Sequence, residues 1–127
     1  MRRLVKSFSY AFHGIYSAFK SELNFRIHII AAVVAIAIGI YIKLSAEKWG
    51  LVVLAIGFVM VSELLNTAIE RLGDEVANGN HRLVIKKAKD TAAAAVLLSA
   101  IAALAIGMIF LIIPFVQKIW GLIFGQT

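Results

Sequence analysis

The chain has 127 residues, 61% hydrophobic and 16% charged, with a formal net charge of +6 and no cysteine. An ordinary soluble domain carries about a quarter charged residues. With a mean hydropathy of +0.91 the composition excludes a water-soluble globule and points to a single all-α integral-membrane domain over 1–127. The missing cysteines exclude disulfides, thiolate metal sites and cysteine nucleophiles. Basic residues flanking apolar spans point to lipid headgroups, with no nucleic-acid partner expected.

The first stretch, "MRRLVKSFSYAFHGIYSAFKSELNF", has no uninterrupted apolar core before a small-residue cleavage site, so a cleaved signal peptide is not expected. On a helical wheel Leu4, Phe8, Phe12, Ile15 and Phe19 share one narrow stripe. Arg2, Lys6, Ser9, His13, Ser17 and Lys20 lie opposite. That pattern predicts an amphipathic helix over 2–24 lying in the membrane surface.

Three apolar segments follow: "IHIIAAVVAIAIGIYI" (27–42), "WGLVVLAIGFVMVSELL" (49–65) and "TAAAAVLLSAIAALAIGMIFLII" (91–113). A helix needs about 20 residues to cross a bilayer core. The first two must therefore recruit their flanks, and the expected spans are about 25–43, 48–70 and 91–113. Ala100, Ala103 and Gly107 put small residues on one face of the third span, which favours close helix approach. The apolar stretch 114–127 is expected as a tail resting on the outer surface.

Basic residues set the orientation. Arg2, Arg3, Lys6, Lys20 and Arg26 precede the first span, and Arg71, Arg82, Lys86, Lys87 and Lys89 lie between the second and third. The link between the first two holds only Lys43, Glu47 and Lys48. By the positive-inside rule the N-terminus and the 71–90 loop face the cytoplasm.

The second span ends in "SELLNTAIERLGDE" (62–75). Taking about 100° per residue, Asn66, Glu70 and Asp74 sit at roughly −60°, −20° and +20° from Glu63, and Thr67 shares their face. An acidic residue deep in a span costs about 2.5–3.5 kcal/mol on insertion scales, so such a face requires a partner, a cavity or an ion. Glu70, Asp74 and Glu75 taken alone would make a solvated helix end, which suits Glu75. Glu63 lies before the apolar run has finished and does not fit that account.

Carboxylates with an amide oxygen are hard ligands suited to Mg²⁺ bridging to phosphates, and a deeper carboxylate can take a proton from a lipid hydroxyl. Glu63 is placed for the second role and Glu70 for the first. There is no GxxxxGK[ST], GxGxxG or DFG-like element, so bound ATP would rest on the metal and on discrete basic side chains. A small ion channel or transporter subunit would also use intramembrane carboxylates, but it leaves the Lys89–Asp90 pair and the N-terminal helix without a task. A non-catalytic adaptor does not account for Glu63.

"ELLNTAIE" (63–70), preceded by "ELNFR" (22–26) and followed by "KKAKDTAAAAVLL" (86–98), resembles the prokaryotic integral-membrane diacylglycerol kinase family, which includes the undecaprenol kinases. The resemblance runs from about Arg3 to about Ile113. It implies a surface helix and three transmembrane helices in a homotrimer at the bacterial inner membrane. It also implies Mg²⁺- and ATP-dependent phosphorylation of a lipid hydroxyl, of diacylglycerol or alternatively of undecaprenol.

Carried over by motif, the resemblance makes Glu63 the catalytic base and Glu22 and Glu70 the metal-holding carboxylates. Asn66 stands beside them, and Lys89 and Asp90 form a nucleotide-contacting pair. Arg3 and Tyr10 become ATP contacts from the surface helix, with Arg3 also placed toward the lipid. Phe25 and Arg26 fall along the lipid substrate. Asn80 and His81, in a "VANGNHR" loop (76–82) about one residue longer than the common form, are further nucleotide candidates.

Each has a plainer reading beside it. Glu22 would suit a solvated turn, Asp90 an N-cap of the third span, and Lys86 and Lys87 topology anchors. His28 occupies a position that is acidic in the best-known diacylglycerol kinases, and no role is expected for it.

Overall fold

The computed structural model describes residues 2–77 and 82–125, and their secondary structure is entirely helical. The elements are α1 (Arg2–Ser21), α2 (Leu23–Tyr41), α3 (Ala46–Ala77), α4 (Leu83–Gly107), a π-helical turn (Met108–Ile112) and α5 (Ile113–Phe124). Leu23–Tyr41, Ala46–Ala77 and Leu83–Phe124 are each long and apolar enough to cross a membrane.

A single residue separates α1 from α2. Glu22 is extended (φ −102°, ψ 116°), while its N–H still bonds the Ala18 carbonyl at 2.8 Å. The joint falls inside the stretch expected as surface helix, so Leu23 and Asn24 belong to the first spanning helix.

A tight turn closes α2. The Leu44 N–H bonds Gly39 O at 2.9 Å and the Lys43 N–H bonds Ile40 O at 3.1 Å, the two bonds of a Schellman motif. The left-handed position that glycine usually fills is taken by Lys43 at φ 56°. Just before the turn, Gly39 lets α3 come close: a Cβ there would lie 2.7 Å from the Trp49 ring.

At 32 residues, α3 is about 48 Å long against a hydrocarbon core of about 30 Å, so its charged C-terminal turns continue past the apolar stretch. The expected 71–90 loop is mostly helix, because α3 runs to Ala77 and α4 starts at Leu83. Asp90 is therefore not an N-cap; it sits about two turns inside α4.

The 114–127 tail also differs from expectation. Its residues to Phe124 continue the third spanning helix. Pro114 cannot donate a hydrogen bond and would crowd the carbonyl four residues earlier. The π-helical turn ahead of it absorbs the mismatch, with the Ile113 N–H bonding Met108 O, and Pro114 then lies in the first turn of α5. Lys118 Nζ reaches the Tyr41 carbonyl at 2.7 Å, satisfying an orphan acceptor at the end of α2. Phe115 packs edge-on against the Tyr41 ring, with centroids 5.7 Å apart.

The buried positions of α3 are Val52, Val59, Glu63, Asn66 and Thr67. The spacings of seven, four and three from Val52 to Asn66 trace one stripe, so the polar set continues the apolar seam where core residues would otherwise sit. Facing it, Ala92 and Ser99 of α4 are buried, and Phe25 of α2 is 1% exposed.

Large apolar side chains including Leu54, Phe58, Leu98 and Leu104 are fully outward, as suits helices whose solvent is lipid. The Ser62 and Ser99 hydroxyls are satisfied within their own helices, on Phe58 O and Val96 O, both at 2.8 Å.

Candidate functional site

The end of α1, the start of α2, the last turns of α3 and the start of α4 meet at one end of the molecule. Arg71, on α3, ties three of these elements together. Its guanidinium donates to Ser17 Oγ at 3.0 Å, Ser21 Oγ at 2.6 Å and Ser17 O at 3.4 Å, and it lies 3.7 Å from Glu22 Oε1. Ser21 Oγ also donates to Glu22 Oε1 at 2.7 Å. The extended backbone at Glu22 thus aims its carboxylate at α3. Lys89 Nζ donates to Asp74 Oδ1 at 2.7 Å, joining α4 to α3, and the Lys89 stem passes beside Gly73.

Deeper along α3, Asn66 Nδ2 donates to Glu70 Oε1 at 3.1 Å. One turn further in, the Glu63 side chain is 3% exposed, and its Oε1 stands 3.4 Å from His28 Nε2. That pair is close enough for electrostatic attraction but not aligned as a hydrogen bond. Among the described residues, Glu63 Oε1 and Asn66 Oδ1 are the buried side-chain polar atoms without a hydrogen-bond partner. Where the neighbouring serines are satisfied, two orphaned oxygens one helical turn apart mark a place kept for something else. Glu22 and Glu70 both lie within electrostatic reach of Glu63.

No three His, Cys, Asp or Glu side chains among the described residues converge on one point to hold a metal unaided. A cation that takes one or two carboxylates and completes its shell with phosphate oxygens and water needs no such cage. Glu22, Glu70 and the unpartnered Asn66 Oδ1 are donors of that kind.

The structure therefore brings together Glu22, Glu63, Asn66 and Glu70, with Asp74 and Lys89 just beyond. Asp90 and Arg26 are exposed nearby in the chain. Arg3 and Tyr10 are exposed on α1 and are not brought in; Arg3 is fourteen residues from Ser17, about 21 Å along the helix. Phe25, expected beside the lipid, is buried on α2 at 1% exposed. Asn80 and His81 lie outside the described residues.

Sequence reasoning missed His28 and Arg71. The i+3 spacing from Phe25 puts His28 on the same face of α2, but the direction of that face is set by helix packing. Arg71 carried no signal, since its partners lie about fifty positions away.

An open apolar cleft of about 630 Å³ lies between α2, α3 and α4. Ala100, Ala103 and Gly107 line it, and His28 is its single polar lining residue.

Membrane-length helices that hold a carboxylate within the bundle and more acids at its end define a helical membrane protein with a polar site at the lipid–water boundary. Comparison with known proteins narrows the class. The sequence profile "Prokaryotic diacylglycerol kinase" matches residues 9–111. An undecaprenol kinase of Bacillus subtilis is 38% identical over 109 residues, 86% of this chain and 88% of its own length. A diacylglycerol kinase of Synechocystis sp. is 40% identical over 111 residues, 87% of this chain and 63% of its own. A diacylglycerol kinase of Escherichia coli is 33% identical over 101 residues, 80% and 82% of the two chains.

The chain belongs to the prokaryotic diacylglycerol kinase family. It is a lipid kinase, and ATP is the co-substrate such a kinase uses.

Proposed function

We propose that this chain transfers the γ-phosphate of ATP to the hydroxyl of diacylglycerol at the cytoplasmic face of the bacterial inner membrane, forming phosphatidic acid. One observation carries the reading: a carboxylate in a spanning helix, Glu63, is enclosed by protein with an oxygen left unpartnered. Glu63 accepts the hydroxyl proton as the lipid oxygen attacks phosphorus, and the bond to the ADP oxygen breaks.

Glu22 and Glu70 hold Mg²⁺ with the nucleotide, and Asn66 fixes Glu70 while offering its free oxygen. The ion, when bound, offsets negative charge on the phosphates, the larger part of catalysis in such transfers. Lys89 supplies a fixed positive charge, with Asp90 beside it, and Arg26 stands at the lipid side. The α1 stripe of Leu4, Phe8, Phe12, Ile15 and Phe19, exposed throughout, rests in the membrane surface.

Assembly as a homotrimer is supported by two features. The small-residue cleft is open in a single chain, and Arg3 and Tyr10 lie too far along α1 to reach their own Glu22. A neighbouring subunit would receive them.

Undecaprenol is the second acceptor to weigh, favoured by the Bacillus subtilis relative, which this chain covers almost end to end. Purified protein given labelled ATP with each lipid separately, with and without Mg²⁺, tests both. Labelled phosphatidic acid only when Mg²⁺ is present is expected. Labelled undecaprenyl phosphate alone would transfer the reading to the second acceptor, and neither product would end it.

A further inference from the structure

The surroundings of Glu63 contain one group that the catalytic scheme leaves unused. His28 Nε2 is 3.4 Å from Glu63 Oε1, and the imidazole is 24% exposed where the carboxylate is 3% exposed. The other charged groups within reach of Glu63 are Glu70, on α3 itself, and Glu22, from the α1–α2 joint. Both are acids, and neither offers a hydrogen in its ionised form. Asn66 already gives one amide hydrogen to Glu70.

His28 Nε2 already stands 3.4 Å from Oε1, and the remaining gap to a hydrogen bond of about 2.9 Å is small. The same imidazole is the polar end of a cleft otherwise lined by apolar side chains. It thus adjoins both the carboxylate and the apolar interior.

Building on the lipid-kinase reading, we propose that His28 is a positioning residue for Glu63. Its Nε2–H closes onto Oε1 and fixes the carboxylate rotamer, leaving Oε2 directed at the lipid hydroxyl. The hydroxyl proton passes to Oε2 as the new P–O bond forms and the bond to ADP breaks; the imidazole keeps its own proton throughout. A base held in one rotamer starts each turnover already oriented, so the contribution falls on the chemical step and not on nucleotide binding.

The test compares His28→Ala, His28→Leu and His28→Gln with wild type, using diacylglycerol and undecaprenol separately in mixed micelles. His28→Ala and His28→Leu are expected to lower kcat at least tenfold while leaving KM for MgATP within twofold. His28→Gln, whose amide N–H can reach the same oxygen, is expected to stay within about threefold of wild type. Should His28→Ala fail to fold, the contrast between Leu and Gln decides alone, since Leu fills the space without a donor.

Unchanged kcat in the Ala or Leu variant, a Gln variant as slow as Leu, or a loss confined to KM for MgATP would overturn the role. A wild-type protein that phosphorylates neither lipid overturns the kinase reading and this role together. An active wild type with indifferent His28 variants overturns this role only.

Discussion

Asn66 gives its amide hydrogen to Glu70 Oε1 at 3.1 Å and leaves its own oxygen buried without a partner. An unsatisfied buried acceptor costs about 1–3 kcal/mol, so this residue is placed for activity at the expense of stability. Asn66→Leu, of similar size and without polar atoms, is expected to be as heat-stable as wild type or more so, while KM for MgATP rises at least tenfold. Thermal unfolding in detergent and steady-state kinetics check the two halves. A variant that unfolds earlier and still binds nucleotide normally would contradict both.

Removing the charge of Glu63 separates chemistry from binding. Glu63→Gln keeps the side-chain shape but gives up the proton acceptor, and general-base catalysis is worth roughly 10²–10⁴ in rate. Turnover is expected to fall by that factor, with MgATP affinity, measured by equilibrium binding, close to wild type. Parallel loss of nucleotide binding would count against the base role.

The clamp made by Arg71 predicts a large functional effect from a small energetic one. Its guanidinium is nearly half exposed, so its ion pair with Glu22 is worth at most about 1 kcal/mol. The same group nevertheless holds Ser17, Ser21 and the joint bearing Glu22. Arg71→Ala should change the unfolding temperature little yet raise the Mg²⁺ concentration needed for half-maximal rate several-fold. Arg71→Lys should recover little of this, because one ammonium cannot reproduce the forked contact.

Opposite outcomes are expected for two substitutions at the far end of α2. Gly39→Ala would drive a methyl group to 2.7 Å from Trp49 and should destabilise by about 1–3 kcal/mol through overpacking. Lys43→Gly relieves a left-handed backbone that costs an L-residue about 1–2 kcal/mol and, after the greater chain entropy of glycine, should stabilise by about 0.5–1 kcal/mol. Denaturant titration in micelles reads both, and neither should alter KM.

The proposed homotrimer, with sites shared between subunits, makes a further expectation. Arg3→Ala and Glu63→Gln proteins, each inactive alone, should regain activity when unfolded together and reassembled, because some mixed trimers would hold one intact site. Activity that stays at the sum of the separate variants would show that each chain carries its own complete site.

The spanning segments and the Glu63–Asn66–Glu70–Asp74 face were legible in the amino-acid sequence because both depend on local regularities. Run length decides whether a helix can cross lipid, and steps of three and four decide which residues share a face. Tertiary structure decided the rest. It set Arg71 against Ser17 across 54 positions, brought His28 to Glu63, turned Phe25 inward and carried the third helix through Pro114. Helical periodicity assigns a residue to a face of its own helix, but the partner of that face depends on how separate helices lean together. That is a property of packing between distant parts of the chain, and no local pattern records it.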